Sequence, residues 1–189
     1  MKPELIAFVG GNAGEWTVER VEAVAGDNLA PVARVAVVEG RDTPSPPGST
    51  WILRGVASHE RYVERVEHEL LAASQPALGR SDATRAALIP VRKSASWWEL
   101  PQDERRAIFE ERSHHIATGL RYLPAVARRL HHSRDLGEPF DFLTWFEYAP
   151  ADAAGFEELV AMLRETEEWT YVEGEVDIRL ARAISGKEE

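Results

Sequence analysis

The chain has 189 residues, enough for one large or two small domains, and 44% of them are hydrophobic, which fits a packed core rather than a disordered chain. Thirty-two acidic against 22 basic residues give a formal net charge of −10, which excludes a general nucleic-acid binder and docking on anionic membranes but leaves room for a buried cation that holds a small anion. Cysteine is absent, so disulfides, Cys-ligated zinc, iron–sulfur clusters and thiol nucleophiles are excluded together.

The elements are taken in chain order. Leu5–Val9 is a short strand ending at a Gly10-Gly11 turn. It is too short for a secretory signal, and no stretch approaches the ~20 apolar residues of a membrane helix. The expectation is a cytoplasmic chain with no membrane and no nucleic-acid partner. Strands follow at 16–24, 32–38 and 50–57, the last two separated by the exposed Pro44-Ser45-Pro46-Pro47-Gly48 loop. Ser58 can cap a helix from His59 to Ser74, with Tyr62, Val63, Val66 and Leu70 on its apolar face. Residues 75–85 read as a linker, and the expected division is 1–80 and 81–189.

In the second half, Ala86–Lys93 is a strand. A helix runs from Pro101, well placed at the first helical position, to His115. Phe140–Tyr148 is a strand, Ala151–Thr166 an amphipathic helix, and Trp169–Leu180 a strand with alternating Val172, Val176 and Ile178. Tyr122–Ser133 fits either a helix weakened by Pro124 or a strand that turns through Asp135–Pro139 into the next. The strand reading completes a βαββαβ ferredoxin-like unit and leaves no open edge inside it, so it is preferred.

Several chemistries are ruled out by missing motifs. There is no P-loop, no GxSxG elbow and no HExxH helix. The pairs His114-His115 and His131-His132 lack the spacing of a zinc site. Trp97-Trp98, between Lys93 and Pro101, is either core packing or the wall of a large flat cofactor, with Lys93 meeting an acidic group at its rim.

Four ordered segments then become specific: Lys93-Ser94-Ala95-Ser96-Trp97-Trp98-Glu99-Leu100-Pro101; Ser113 through Ser133; Asp141-Phe142-Leu143-Thr144-Trp145-Phe146-Glu147; and Thr166-Glu167-Glu168-Trp169. Together they resemble the chlorite dismutase family, in its short, dimer-forming branch. The resemblance implies an α+β fold, a ferredoxin-like dimeric α+β barrel of two ferredoxin-like halves, the N-terminal one reduced. It implies a homodimer that carries b-type haem in its C-terminal half. It assigns Tyr122–Ser133 as a strand.

Residue by residue, the resemblance implies His115 as the iron ligand and Glu168 as the acceptor of its other ring nitrogen. Arg128 becomes the distal, catalytic arginine. Lys93, Trp97 and Tyr62 fall near the propionates and the haem edge, and Trp98, Thr144 and Phe146 at further pocket positions. Alternation places Arg128 with Val126 and Leu130 on one strand face, and Thr144 with Phe146 on the next. His114, His131 and His132 are expected to be surface or structural, Glu165 and Glu167 solvated, and Arg129 an ion-pair residue. The implied activity is conversion of chlorite to chloride and dioxygen, through a ferryl haem and transient hypochlorite held by Arg128. Ile89, where a coproheme decarboxylase carries Tyr, and Arg128, where it typically carries Gln, both favour chlorite dismutase. A haem peroxidase, a coproheme decarboxylase-like enzyme and a non-catalytic haem carrier or sensor are the alternatives.

Overall fold

The computed structural model describes residues 4–40, 46–57 and 61–182. Eight strands are present: β1 (Glu4–Gly11), β2 (Trp16–Ala25), β3 (Arg34–Glu39), β4 (Ser49–Ala57), β5 (Arg85–Lys93), β6 (Ala127–His132), β7 (Phe142–Tyr148) and β8 (Val172–Ala181). They pair antiparallel in a closed barrel of order β1-β3-β2-β8-β5-β7-β6-β4, completed by β1 on β4. The first four strands run β4-β1-β3-β2 and the last four β8-β5-β7-β6, so one ferredoxin-like order occurs twice. The halves are joined where β2 meets β8 and β4 meets β6.

The halves differ in their crossovers. In the second, the β5–β6 connection carries α2 (Ala95–Glu99), α3 (Gln102–Arg106) and α4 (His115–Leu120), and the β7–β8 connection carries α5 (Ala153–Arg164). In the first, β1 passes to β2 through Asn12–Glu15 alone, and among the described residues the one helix, α1 (Arg65–Ser74), follows β4. This is the reduced N-terminal half that the sequence resemblance implies.

Strand alternation builds two cores. Phe8, Leu53, Leu88, Leu143, Trp145, Ile178 and Leu180 fill the barrel. On the outer face of the second half, Ala87, Ile89, Val91, Val126 and Phe146 pack with Phe156, Leu159, Val160 and Leu163 of α5. Gly10 and Gly11 belong to β1 rather than to a turn. A Cβ on Gly10 would fall 2.2 Å from the Trp51 ring, so the missing side chain makes room for an indole inside the barrel.

Four sequence expectations need correction. The helix expected from His59 begins at Arg65, where Glu64 and Glu67 form a capping box; Ser58 and His59 lie outside the described residues. The helix expected from Pro101 to His115 is interrupted by a π-helical turn, Ala107–Arg112, and by His114 at φ +51°. The strand expected from Tyr122 starts at Ala127, because Arg121–Val126 turns back from α4 through a cis Leu123–Pro124 bond. The last strand starts at Val172, since Glu167–Tyr171 is a 3-10 turn. Among the described residues, no helix is long and apolar enough to cross a membrane.

Candidate active site

One wall of the site is the outer face of β6 and β7. The register sets Arg128 directly opposite Phe146 and Leu130 opposite Thr144, while β5 sets Ile89 against Thr144 on the other side. Directly opposed residues share a face, so these five side chains form one surface with one cationic group.

The facing wall is the β5–β6 crossover. The π-helical turn and the left-handed His114 end one helix axis and start another, so the adjacent histidines diverge: His114 is exposed, and His115 opens α4 facing inward. His115 Nδ1 lies 2.7 Å from Glu168 Oε2, and Glu168 Oε1 lies 2.8 Å from Lys93 Nζ. The Glu168 amide donates to Ser113 Oγ at 3.0 Å, which anchors the 3-10 turn beside α4. Glu168 is 4% exposed. Burial alone would raise its pKa, but the charges of His115 and Lys93 outweigh burial and hold it down at about 2. An ionised carboxylate only accepts, so Nδ1–H of His115 is the donor in this pair, and whenever the ring is neutral Nε2 carries the lone pair.

Lys93 is placed differently from the expectation of a cation at a haem rim. Its ammonium is buried against Glu168 and lies 4.6 Å from the Trp97 ring centroid. The strand that carries it ends inside the site, and the buried carboxylate takes its charge. Trp97 is 1% exposed. Tyr62 meets it edge-on at 5.9 Å, accepts from Arg105 Nη1 at 3.2 Å, and stands 5.7 Å from Phe109. Trp98 points elsewhere: its indole donates to Asp141 Oδ2 at 3.3 Å, stacks on Phe142 at 6.0 Å, and lies under the Arg134 guanidinium at 4.0 Å. It stands at the Phe142 end of the sheet wall, where the Lys93 amide donates to the same Asp141 oxygen at 2.7 Å.

Other neighbours escape sequence reading. Gly119 lies one helical turn after His115 on α4, and a Cβ there would come 3.0 Å from Arg128 Nη1. The missing side chain lets the guanidinium approach the His115 face of the helix. Phe109 stacks on the His115 ring with centroids 4.4 Å apart. No signal in the chain marks Phe109 as a neighbour of His115, because on an uninterrupted helix the two would not align. His131 and His132 are packed into the fold: His131 is 2% exposed inside the barrel, and His132 is buried on the outer face. Arg129, Glu165 and Glu167 are exposed.

The residues fit a haem. A histidine whose Nδ1 is tied to a carboxylate is the donor set of an axial iron ligand, and 18% of its side chain stays accessible. The Trp97 indole nitrogen is buried with no hydrogen-bond partner among the described residues, a donor suited to a propionate oxygen.

Fold and site together define an α+β barrel with a carboxylate-backed histidine on a crossover helix, facing an arginine on the sheet. The family model for chlorite dismutase matches residues 49–184, and the chain belongs to the chlorite dismutase family. It is 61% identical to a dimeric chlorite dismutase from Nitrobacter winogradskyi, over 94% of this chain and 99% of that one, with a TM-score of 0.87. A chlorite dismutase from Candidatus Nitrospira defluvii shares the fold, with a TM-score of 0.71 at 19% identity over 97% of this chain and 93% of that one. The chlorite dismutase of Ideonella dechloratans is 37% identical over 91 residues, which are 48% of this chain and 30% of that protein.

Proposed function

We propose that the chain is a haem b-dependent chlorite dismutase that converts chlorite to chloride and dioxygen, working as a homodimer with the haem in residues 81–189. The observation that carries this reading is the His115–Glu168–Lys93 chain, with Arg128 reaching the helix that carries His115 at Gly119.

His115 Nε2 would ligate the iron, and the Trp97 indole would hold a propionate. A bound haem would supply the redox-active metal chemistry that chlorite cleavage needs. Glu168, kept ionised, accepts the Nδ1 proton and raises the basicity of the ligand nitrogen. Lys93 neutralises the far oxygen of that carboxylate, so the buried negative charge is paired.

On the sheet wall, Arg128 remains cationic at any working pH. Phe146, Leu130 and Ile89 exclude water around it, which strengthens its hold on a small oxyanion. Its task is to hold the chlorine oxyanion in the site by charge and hydrogen bonding, so that it does not escape to solvent. Thr144 lies in the same wall and offers a hydroxyl at the pocket floor.

The test uses haem-loaded protein: its ultraviolet–visible spectrum, and dioxygen release on adding chlorite. A Soret band with rapid oxygen evolution is expected. A Soret band without oxygen would move the reading to a peroxidase, a decarboxylase or a haem carrier, to be separated with hydrogen peroxide and coproheme.

A further inference from the structure

We propose that Glu110 and Phe109, both on the π-helical turn, are positioning residues that set the angle of the His115 imidazole. The inference rests on His115 being the iron ligand.

His115 is the first residue of a helix only six residues long. So short a helix has little stability of its own and needs outside partners for its orphan amides. Glu110 supplies them from the preceding segment. Its Oε2 accepts from the Ile116 amide at 2.5 Å and its Oε1 from the Ala117 amide at 3.1 Å. Both amides belong to the turn that carries the imidazole, so the carboxylate clamps the backbone of that turn.

Phe109 acts on the ring itself. Its plane lies 22° from the imidazole plane with centroids 4.4 Å apart. A nearly parallel face at that distance resists rotation about χ2, adding to the restraint that the Nδ1 bond to Glu168 applies at one edge of the ring. Tyr62 backs Phe109 from the far side at 5.7 Å, so the stacked ring is itself held.

The π-helical turn makes this possible. The Ser113 amide bonds to the Ile108 carbonyl at 3.1 Å, an i→i+5 bond that inserts one residue into the helix. The inserted residue brings Phe109 and Glu110 to the same side as α4, where a regular helix would carry them past it. Two neighbours thereby control two different freedoms: Glu110 the position of the backbone, Phe109 the rotation of the ring.

The test compares Phe109→Leu, Phe109→Tyr, Glu110→Ala and Glu110→Gln with the wild type. Two readouts are used: the iron–histidine stretching band of the ferrous protein by resonance Raman, and the rate of haem loss to an excess of acceptor globin. Phe109→Leu and Glu110→Ala are expected to broaden or shift the band and speed haem loss by about 10-fold. Phe109→Tyr, which keeps the ring, is expected to restore both. Glu110→Gln, which keeps one acceptor oxygen, should fall between, and it serves if Glu110→Ala does not fold. In the haem-free protein, the His115 ring signals in a long-range 1H–15N spectrum are expected to sharpen in the wild type relative to Phe109→Leu, a readout independent of iron. An unchanged band and haem-loss rate in Phe109→Leu and in the Glu110 variants overturns the inference. A wild-type chain that takes up no haem overturns the functional reading and this inference with it.

Discussion

The Nδ1 atom of His115 lies 2.7 Å from Oε2 of Glu168, a residue 53 positions later in the chain. This contact joins the crossover helix of the second half to the 3-10 turn before its last strand. It distinguishes two adjacent histidines, pairing His115 with a buried carboxylate while His114 stays exposed. His115→Ala is expected to abolish haem uptake, whereas His114→Ala, at an exposed left-handed position, retains it. Haem titration followed at the Soret band decides this, and the opposite pattern would move the ligand by one residue.

Lys93 and Glu168 are both nearly inaccessible, at 4% exposure each. Removing one partner of a buried pair leaves the other charge uncompensated, at a cost of about 3–5 kcal/mol. Lys93→Met should therefore lower the urea-unfolding free energy by that order. A loss below about 1 kcal/mol would show that the ammonium is not needed to hold the carboxylate in place.

Arg128 and Phe146 are cross-strand partners on the pocket wall. Arg128→Ala is expected to keep the Soret band and lose most of the oxygen yield per chlorite, with faster haem bleaching as hypochlorite escapes. An unchanged yield measured with an oxygen electrode would remove Arg128 from the reaction.

Gly119 presses on the same arginine. An added methyl at 3.0 Å from Nη1 displaces the guanidinium by a few tenths of an ångström, which a flexible side chain tolerates. Gly119→Ala should leave the fold as stable or more so, by roughly 0.5–1 kcal/mol from the helix preference of Ala. Oxygen yield should fall while haem affinity stays constant. Thermal unfolding, haem titration and oxygen release together test this, and a wild-type yield would mean the guanidinium position is not critical.

His131 supplies a pH dependence separate from the site. Burial in the barrel pulls its pKa from 6.5 to about 4, and the neutral ring donates from Nδ1 to the Leu143 carbonyl at 3.1 Å. Between those values the unfolded chain binds a proton that the folded chain refuses. The stability contributed by the neutral ring is complete above pH 6.5 and is lost as the pH falls towards 4, on the order of 3 kcal/mol in all. His131→Gln should flatten the acid limb of stability against pH by that amount. Parallel curves for the two proteins would rule the effect out.

Local patterning made much of the fold legible. The alternation of Val176, Ile178 and Leu180, the aromatic strand around Trp145 and the apolar stripe of α5 each depend on near neighbours in the chain. That Arg128 shares a face with Leu130, and Thr144 with Phe146, followed once β6 was taken as a strand, because alternation assigns faces; which residue stands opposite which did not. The motif segments around Lys93, His115 and Glu168 carried the family, and the structure brings those three residues together.

The rest depends on contacts between distant parts of the chain. The π-helical turn at Ala107–Arg112 carries no sequence signal that propensity detects, since Ala, Ile, Phe and Glu read as ordinary helix. It is stabilised by the Glu110 clamp on α4 and by packing against Glu167–Tyr171, neither visible locally. The same holds for Lys93, whose charge reads as a pocket rim until the strand geometry buries it on a carboxylate 75 residues away. Residue types and spacing establish which side chains can perform the chemistry. Which histidine turns inward, which carboxylate meets it and which glycine makes room for the arginine follow from long-range packing, where a few ångströms of placement govern charge pairing and access.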